Sequence, residues 1–502
     1  ADSRPRPQTP DPRPEGRGPR AERREQGAGR GPWESTARGG RGPGGRGARA
    51  WGRRAWGGGA VGRVVPPRAT MEHGSGPHGI PKVTRRRSTL GLAFVAFLCT
   101  GLPGAALGVV WPAMRASLGR PIGDLGIIFV LSTVGFATAA LVHGQVVRAI
   151  GPGRGLAAGA LLAAMGAAGF AAGWWPVVLG GAFVAGLGAG ELEAGLNGHV
   201  AVVHGSRAVN VLHGAFGVGA ALGPLAATVL TRGDGPWQLL FVAVAVIVGA
   251  LVLGFWLTRA AWTAVRPAPT ADRPEAHPVA TLGAQAGDRR SVRVLLGATL
   301  ATFASYVALE TAVAQWSFSY LTESRGVAEA TAGLVVSGFW AALTLGRFAI
   351  GFGGARLTPA LVLRTSVPLA VLAVLVIALA GGGGASVAVV LTGAALAGVF
   401  PALVASTPDR FGARTPAVMG WQLVAASVGL GAGPAIVAVA VASRGLDAAA
   451  VVFVVLSLLM AASALVVEGS DRGRSRPRGY DLPAPGRGAT SEEATAWSTS
   501  TR

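Results

Sequence analysis

The 502-residue sequence predicts an all-α membrane protein, with twelve transmembrane helices in two pseudo-symmetric six-helix bundles. Three observations predict it. Half of the residues are hydrophobic and only 14% are charged, with a mean hydropathy of +0.47, which is too apolar for a soluble chain of this length. Apolar stretches of about 20 residues recur from Leu90 to Val467, each long enough at roughly 1.5 Å per residue to cross about 30 Å of hydrocarbon. The longest polar break, 259–292 with RPAPTADRPEAHP, divides these stretches six and six and reads as a linker.

The helices are predicted at 90–112, 122–146, 154–173, 176–201, 208–231 and 237–258 in the first half. In the second half they fall at 293–320, 328–353, 359–380, 384–406, 415–440 and 447–468. With an inner N-terminus, 22 Arg and Lys residues flank the inner ends, and only Arg115, Arg120, Arg232, Arg325 and Arg444 flank the outer ones. That bias places both termini in the cytoplasm and makes the chain a multi-pass protein of the cell (inner or plasma) membrane. Trp111, Trp174, Trp175 and Trp237 fall at outer ends, where interfacial anchors are expected.

The expected organisation is therefore a disordered tail at 1–84, six-helix bundles at 85–258 and 293–468 joined by the 259–292 linker, and a disordered tail at 469–502. The formal charge of +21 does not indicate nucleic acid, because 16 of the 45 basic residues lie in the Arg/Gly/Pro-rich segment 1–70 and most others flank helices. The first methionine is Met71, shortly before the basic cluster Arg85-Arg86-Arg87. Met71 or a nearby start is expected to be the native initiator. The rival reading is a genuine basic tail that touches anionic lipid or RNA. Cys99 is the lone cysteine, so there is no disulfide framework or thiolate metal site.

The halves echo each other. GAALGP (Gly219 to Pro224) in helix 5 returns as GLGAGP (Gly429 to Pro434) in helix 11, and Gly144-Gln145 after helix 2 has a loose counterpart in Gly346-Arg347 after helix 8. Two copies in one orientation imply a pseudo-two-fold axis along the membrane normal and a cavity between the halves. At this point the chain is similar to the major facilitator superfamily over about 85–470. The segment GLGAGELEAGLNGHVAVVHGSRAVNVLHGAFGVGAALGP resembles the fucose:proton symporter-like sugar permeases, as do YVALETAVAQW, SGFWAALTLGRFAIG and AGVFPALVASTPDRFG. The resemblance implies proton-coupled symport of a small, sugar-like solute by alternating access, with the lipid bilayer, the solute and the proton as partners. A monomer is expected, without cofactor or nucleic acid.

An ionised carboxylate near the bilayer centre costs several kcal/mol unless it faces a polar cavity or is protonated. Three acids are placed there: Glu191, Glu193 and Glu310. Glu193 and Asn197 stand four apart on one face of helix 4, roughly 15 Å from the inner surface. The resemblance implies that Glu193 is the proton-coupling carboxylate. Glu191 leaves the helix about 200° away and is expected to pack against a neighbour or to share the coupling role. Asn210 and His213 of helix 5 return to the level of Asn197, and either tune Glu193, bind a hydroxylated solute or bond between helices. Helix 7 offers Glu310 and Trp316 for solute contact, with Tyr306 and Gln315 one turn to either side of Glu310. Arg148, Arg154 and Arg347 read as gate or loop residues that satisfy helix C-terminal carbonyls.

Two departures stand out. The fucose-type symporters pair the helix-4 acid with a helix-1 acid about one turn before a proline, whereas here Pro112 is preceded at that distance by Gly108 and helix 1 contains no acid. The helix 2–3 loop signature is reduced to GQVVRAIGPGRG, without its Asp. GAALGP is also the core of the helix-5 antiporter motif, which keeps proton-driven efflux of drugs or metabolites as the alternative. An enzyme is not expected, since neither HExxH nor GxSxG is present and the seven histidines are scattered.

Overall fold

The computed structural model describes residues 82–232, 235–262, 286–352 and 357–474. Almost all of the N-terminal tail, most of the linker and the C-terminal end lie outside the described residues, as does the Met71 start. Twelve helices are long and apolar enough to cross a membrane, and there is no strand among the described residues. The first half contains α1 (Lys82–Ser117), α2 (Leu125–Ile150), α3 (Pro152–Ala171), α4 (Trp175–His204), α5 (Ser206–Leu230) and α6 (Gln238–Leu257). The second contains α7 (Ala286–Ser319), which runs on as a π-turn over Tyr320–Ser324, then α8 (Glu329–Phe352) and α9 (Pro359–Leu379). Its tenth span is broken into α10 (Gly382–Leu396) and α11 (Val399–Ala405). A short α12 (Thr407–Phe411) leads into α13 (Thr415–Arg444), and α14 (Ala448–Arg474) closes the chain.

The internal repeat is visible in the packing. In the first half α1 packs on α5, α2 on α4 and α3 on α6; in the second, α7 packs on α13, α8 on α10 and α9 on α14. Each pair joins the same members of its six. The repeated glycine motif explains one of these pairs. A side chain on Gly219 or Gly223 would strike the α1 carbonyls of Leu98 and Leu102, and one on Gly429 or Gly433 would strike the α7 carbonyls of Ala304 and Ala308. The motif therefore lets the fifth helix of each half lie directly on the backbone of the first. Connections are tight where glycine permits it, as at Gly151 and Gly205 with φ of 84° and 82°.

The halves meet through α2 with α13, α5 with α8, and α1 with α7. At the end that the charge count assigns to the outside, Gly123 and Gly126 face Ala438 of α13, Thr133 faces Gly431, and Arg115 pairs with Glu323 at 2.7 Å. Toward the opposite end the same stripes become exposed, at Ala140, Gly144 and Arg148 on α2 and at Val428, Val424 and Trp421 on α13. The two helices thus diverge, and a cleft opens toward the inner side. The four tryptophans are not equivalent anchors. Trp174 is 63% exposed, but Trp111 and Trp237 are buried, with their indole N–H groups donating to the Ile122 carbonyl at 2.9 Å and to Ser117 Oγ at 2.8 Å. A buried indole N–H needs an acceptor, and here the helix ends supply one.

Candidate functional site

The central part of the cleft is framed by α4 and α5 from one half and by α7 and α8 from the other. On the α4 side, Glu193 is half-buried and its carboxylate has no hydrogen bond or ion pair among the described residues. Asn197, one turn on, keeps a buried Oδ1 without a partner among the described residues. The α5 residues Asn210 and His213 are exposed, and His213 stands edge-on to Phe97 with ring centroids 5.5 Å apart. Gly214 and Gly217 of α5 lie against Phe348 and Thr344, so α5 and α8 meet at this level.

Glu191 goes elsewhere. It is buried between α2 and α3, with Oε2 3.0 Å from His143 Nδ1 and its chain lying against Gly155 and Gly159. The absence of side chains on those two glycines makes the room for it. The opposite headings of Glu191 and Glu193 follow from their two-residue separation on one helix.

On the other wall, Glu310 of α7 is 9% exposed and holds two partners. Tyr306, one turn earlier, donates its hydroxyl to Glu310 Oε2. Arg347 Nη2 donates to the Tyr306 hydroxyl at 2.9 Å and lies 3.3 Å from the same carboxylate oxygen. This corrects the reading of Arg347 as a residue that satisfies terminal carbonyls. Helical side chains tilt toward the helix N-terminus, so an arginine near the inner end of α8 projects back toward the middle of the bundle, where Tyr306 and Glu310 lie. Arg148 and Arg154 remain on the surface beside the α2–α3 turn, with no hydrogen bond or ion pair among the described residues.

Gln315 and Trp316 are occupied by helix packing in this conformation rather than turned to the cleft. Gln315 spans the two halves: its Oε1 accepts from the Gly108 N–H and its Nε2 donates to the Gly104 carbonyl, each at 3.0 Å. A side chain at Gly108 would overlap the Gln315 backbone. Trp316 is 0% exposed and donates its indole N–H to the Pro434 carbonyl of α13 at 3.1 Å. The sequence contains Gly108 where the resemblance led one to look for an acid, and an amide from α7 now occupies that contact.

Sequence reasoning missed three polar residues. His143 became visible only as the partner of Glu191. Ser337 and Trp340 lie on the same side of α8 as Arg347, and their Oγ and Nε1 atoms, together with Arg347 Nε, are buried without partners among the described residues. Helix-face counting within SGFWAALTLGR, as applied to helix 4, would have aligned these three. No group of three or more His, Cys, Asp or Glu side chains suited to a metal occurs among the described residues.

Comparison with known proteins places this geometry in a family. Residues 93–391 match the sequence profile of the Major Facilitator Superfamily. A 207-residue segment is 33% identical to the probable actinorhodin transporter of Streptomyces coelicolor, covering 38% of this chain and 36% of that protein's length. Among solved structures, a nucleoside transporter superposes with a TM-score of 0.58 at 14% identity, over 76% of this chain and 99% of that one. A variant of the E. coli fucose:proton symporter gives 0.50 at 18% identity, over 76% and 98%. At these identities the structural likenesses speak for the fold alone.

Proposed function

The chain belongs to the major facilitator superfamily, and on that premise we propose that it is a proton-coupled symporter of a small polyhydroxylated solute, working by alternating access in the cell membrane with both termini cytoplasmic. The observation that carries this reading is Glu193. It is an acid within the membrane-spanning part of α4, partly exposed and without a neutralising partner among the described residues. An acid so placed takes up a proton from the side to which the cleft is open, keeps it while the cleft is closed, because desolvation disfavours the ionised form, and gives it up once the cleft opens to the other side. Asn197 one turn along α4, with the exposed Asn210 and His213 of α5, supplies groups that can hydrogen-bond hydroxyls. The outer contacts through Arg115–Glu323 and Gln315 have to break, and the inner ends to close, for the solute to pass.

Reconstitution of the full chain in proteoliposomes with an imposed proton gradient tests it, first with sugars and polyols. The expected result is uphill uptake that Glu193→Gln lowers at least tenfold while solute counterflow persists, since counterflow needs no net proton movement. Uphill uptake that persists in Glu193→Gln and still collapses with a protonophore would move the coupling to Glu310.

The segment shared with the probable actinorhodin transporter, together with GAALGP, favours a second reading, proton-driven export of a metabolite. In that case solute loaded inside the vesicles leaves against its gradient when the outside is made acidic.

A further inference from the structure

We propose that the α8 face formed by Ser337, Trp340 and Arg347 selects the solute, and that it selects one bearing a carboxylate. This deepens the transport reading above and rests on it. Trp340 and Arg347 are seven residues apart, within about 20° of each other around the helix, and Ser337 lies within about 80° of both. The face points inward: Gly346 lies against Ala397 of α10, Thr344 and Phe348 lie against Gly217 and Gly214 of α5, and Leu345 on the far side is 67% exposed.

The three side chains share one deficiency. Trp340 is 6% exposed, yet its Nε1 has no acceptor among the described residues, and Ser337 Oγ and Arg347 Nε are likewise buried without a partner there. Indole and guanidinium nitrogens only donate, so what they lack is an acceptor. Burying donors without acceptors is costly unless something else fills the role. Arg347 engages Tyr306 and Glu310 through Nη2 alone, which leaves Nε for another acceptor. A carboxylate meets guanidinium and indole N–H groups with charge-assisted bonds that a neutral hydroxyl cannot match.

The opposite wall complements this. Asn197 Oδ1 has no donor, and Asn210 and His213 are exposed, so hydroxyls on the rest of the solute find acceptors there. The charged or titratable groups facing Arg347 are Glu310 and Tyr306 from α7 and His213 from α5. Because Glu310 already balances Arg347, an incoming anion adds one negative charge to the cleft. The proton taken up by Glu193 offsets it.

The test is equilibrium binding to the purified full-length protein in lipid nanodiscs, using matched acid and neutral pairs: D-galacturonate against D-galactose, and D-gluconate against D-glucitol. The acid of at least one pair is expected to bind at least tenfold more tightly than its neutral partner. Trp340→Phe, which keeps the ring and removes only the N–H, is expected to weaken the acid at least threefold and leave the neutral partner unchanged. Since Arg347→Gln also disturbs Glu310, Trp340→Phe and Ser337→Ala keep the test independent of folding. Equal or tighter binding of both neutral members, no binding of either acid, or an unchanged acid affinity in Trp340→Phe each overturns the proposal. Proton-driven uptake of a neutral sugar with no acid preference would leave the transport reading standing and remove this one alone.

Discussion

Glu193 and Glu310 are both membrane-embedded acids at the centre of the bundle, but one stands alone and the other is held by two partners. Glu193 has no hydrogen bond or ion pair among the described residues, whereas Glu310 accepts from Tyr306 and pairs with Arg347. The contrast separates two uses of a membrane carboxylate. A partnerless acid can exchange its proton without breaking anything, so it is suited to coupling. A partnered acid fixes its neighbours, so it is suited to shaping a binding wall. His143–Glu191 is a third case, an acid stored between helices of one half, where Gly155 and Gly159 make room for it.

The largest effect expected from this contrast is on stability. Arg347→Ala should destabilise the protein by about 2–4 kcal/mol, somewhat below the loss for a fully buried pair because the Arg347 side chain is 31% exposed. Thermal unfolding in detergent measures it. Adding Glu310→Gln to Arg347→Ala should recover a good part of the loss, and full additivity of the two changes would show that they do not act as a pair.

Gln315→Leu comes next, at about 1–2 kcal/mol for two hydrogen bonds. The Gly108 N–H and Gly104 carbonyl are each other's i→i−4 counterparts in α1, so they can close on one another once the amide is gone. What is lost is the tie between the halves. Disulfide trapping of an Arg115→Cys/Glu323→Cys pair, in a Cys99→Ala background, should therefore become slower in the Gln315→Leu protein. Unchanged trapping would make Gln315 a packing residue only.

Glu193→Leu should change the unfolding free energy by less than about 1 kcal/mol, with stabilisation the favoured sign, because no partner is left behind. A loss as large as that of Arg347→Ala would erase the distinction between the two acids. The smallest effect is expected at the rim, where Arg115→Gln removes a partly exposed ion pair worth about 0–1 kcal/mol. Raising the salt concentration should shrink that difference further.

All twelve helices were legible from apolar run length, and their predicted ends differ from the observed ones by only a few residues for most spans. The larger differences are extensions, as at α13, where the apolar run understates a helix that begins at Thr415 after the short α12 and continues to Arg444. Glu193, Asn197, Asn210 and His213 were singled out because they sit on the two helices that carried the family resemblance. Arg347 was placed at the right end of its helix and given the wrong partners, because nothing local to α8 says that α7 presents Tyr306 and Glu310 to that side chain.

Hydrophobic run length and the position of a charge within it are local properties, so the sequence by itself determined the number of helices, the repeat and the place of each acid along its helix. Partnership is not local. Tyr306 and Arg347 are 41 residues apart, Gln315 reaches a glycine 207 residues away, and Trp316 reaches a carbonyl 118 residues away. Such contacts depend on the rotation of each helix about its axis and on how closely two backbones approach, and both are set by packing against neighbours from elsewhere in the chain. Only the tertiary structure therefore decided which acid stands free, which is held, and which face of α8 is left with donors to fill.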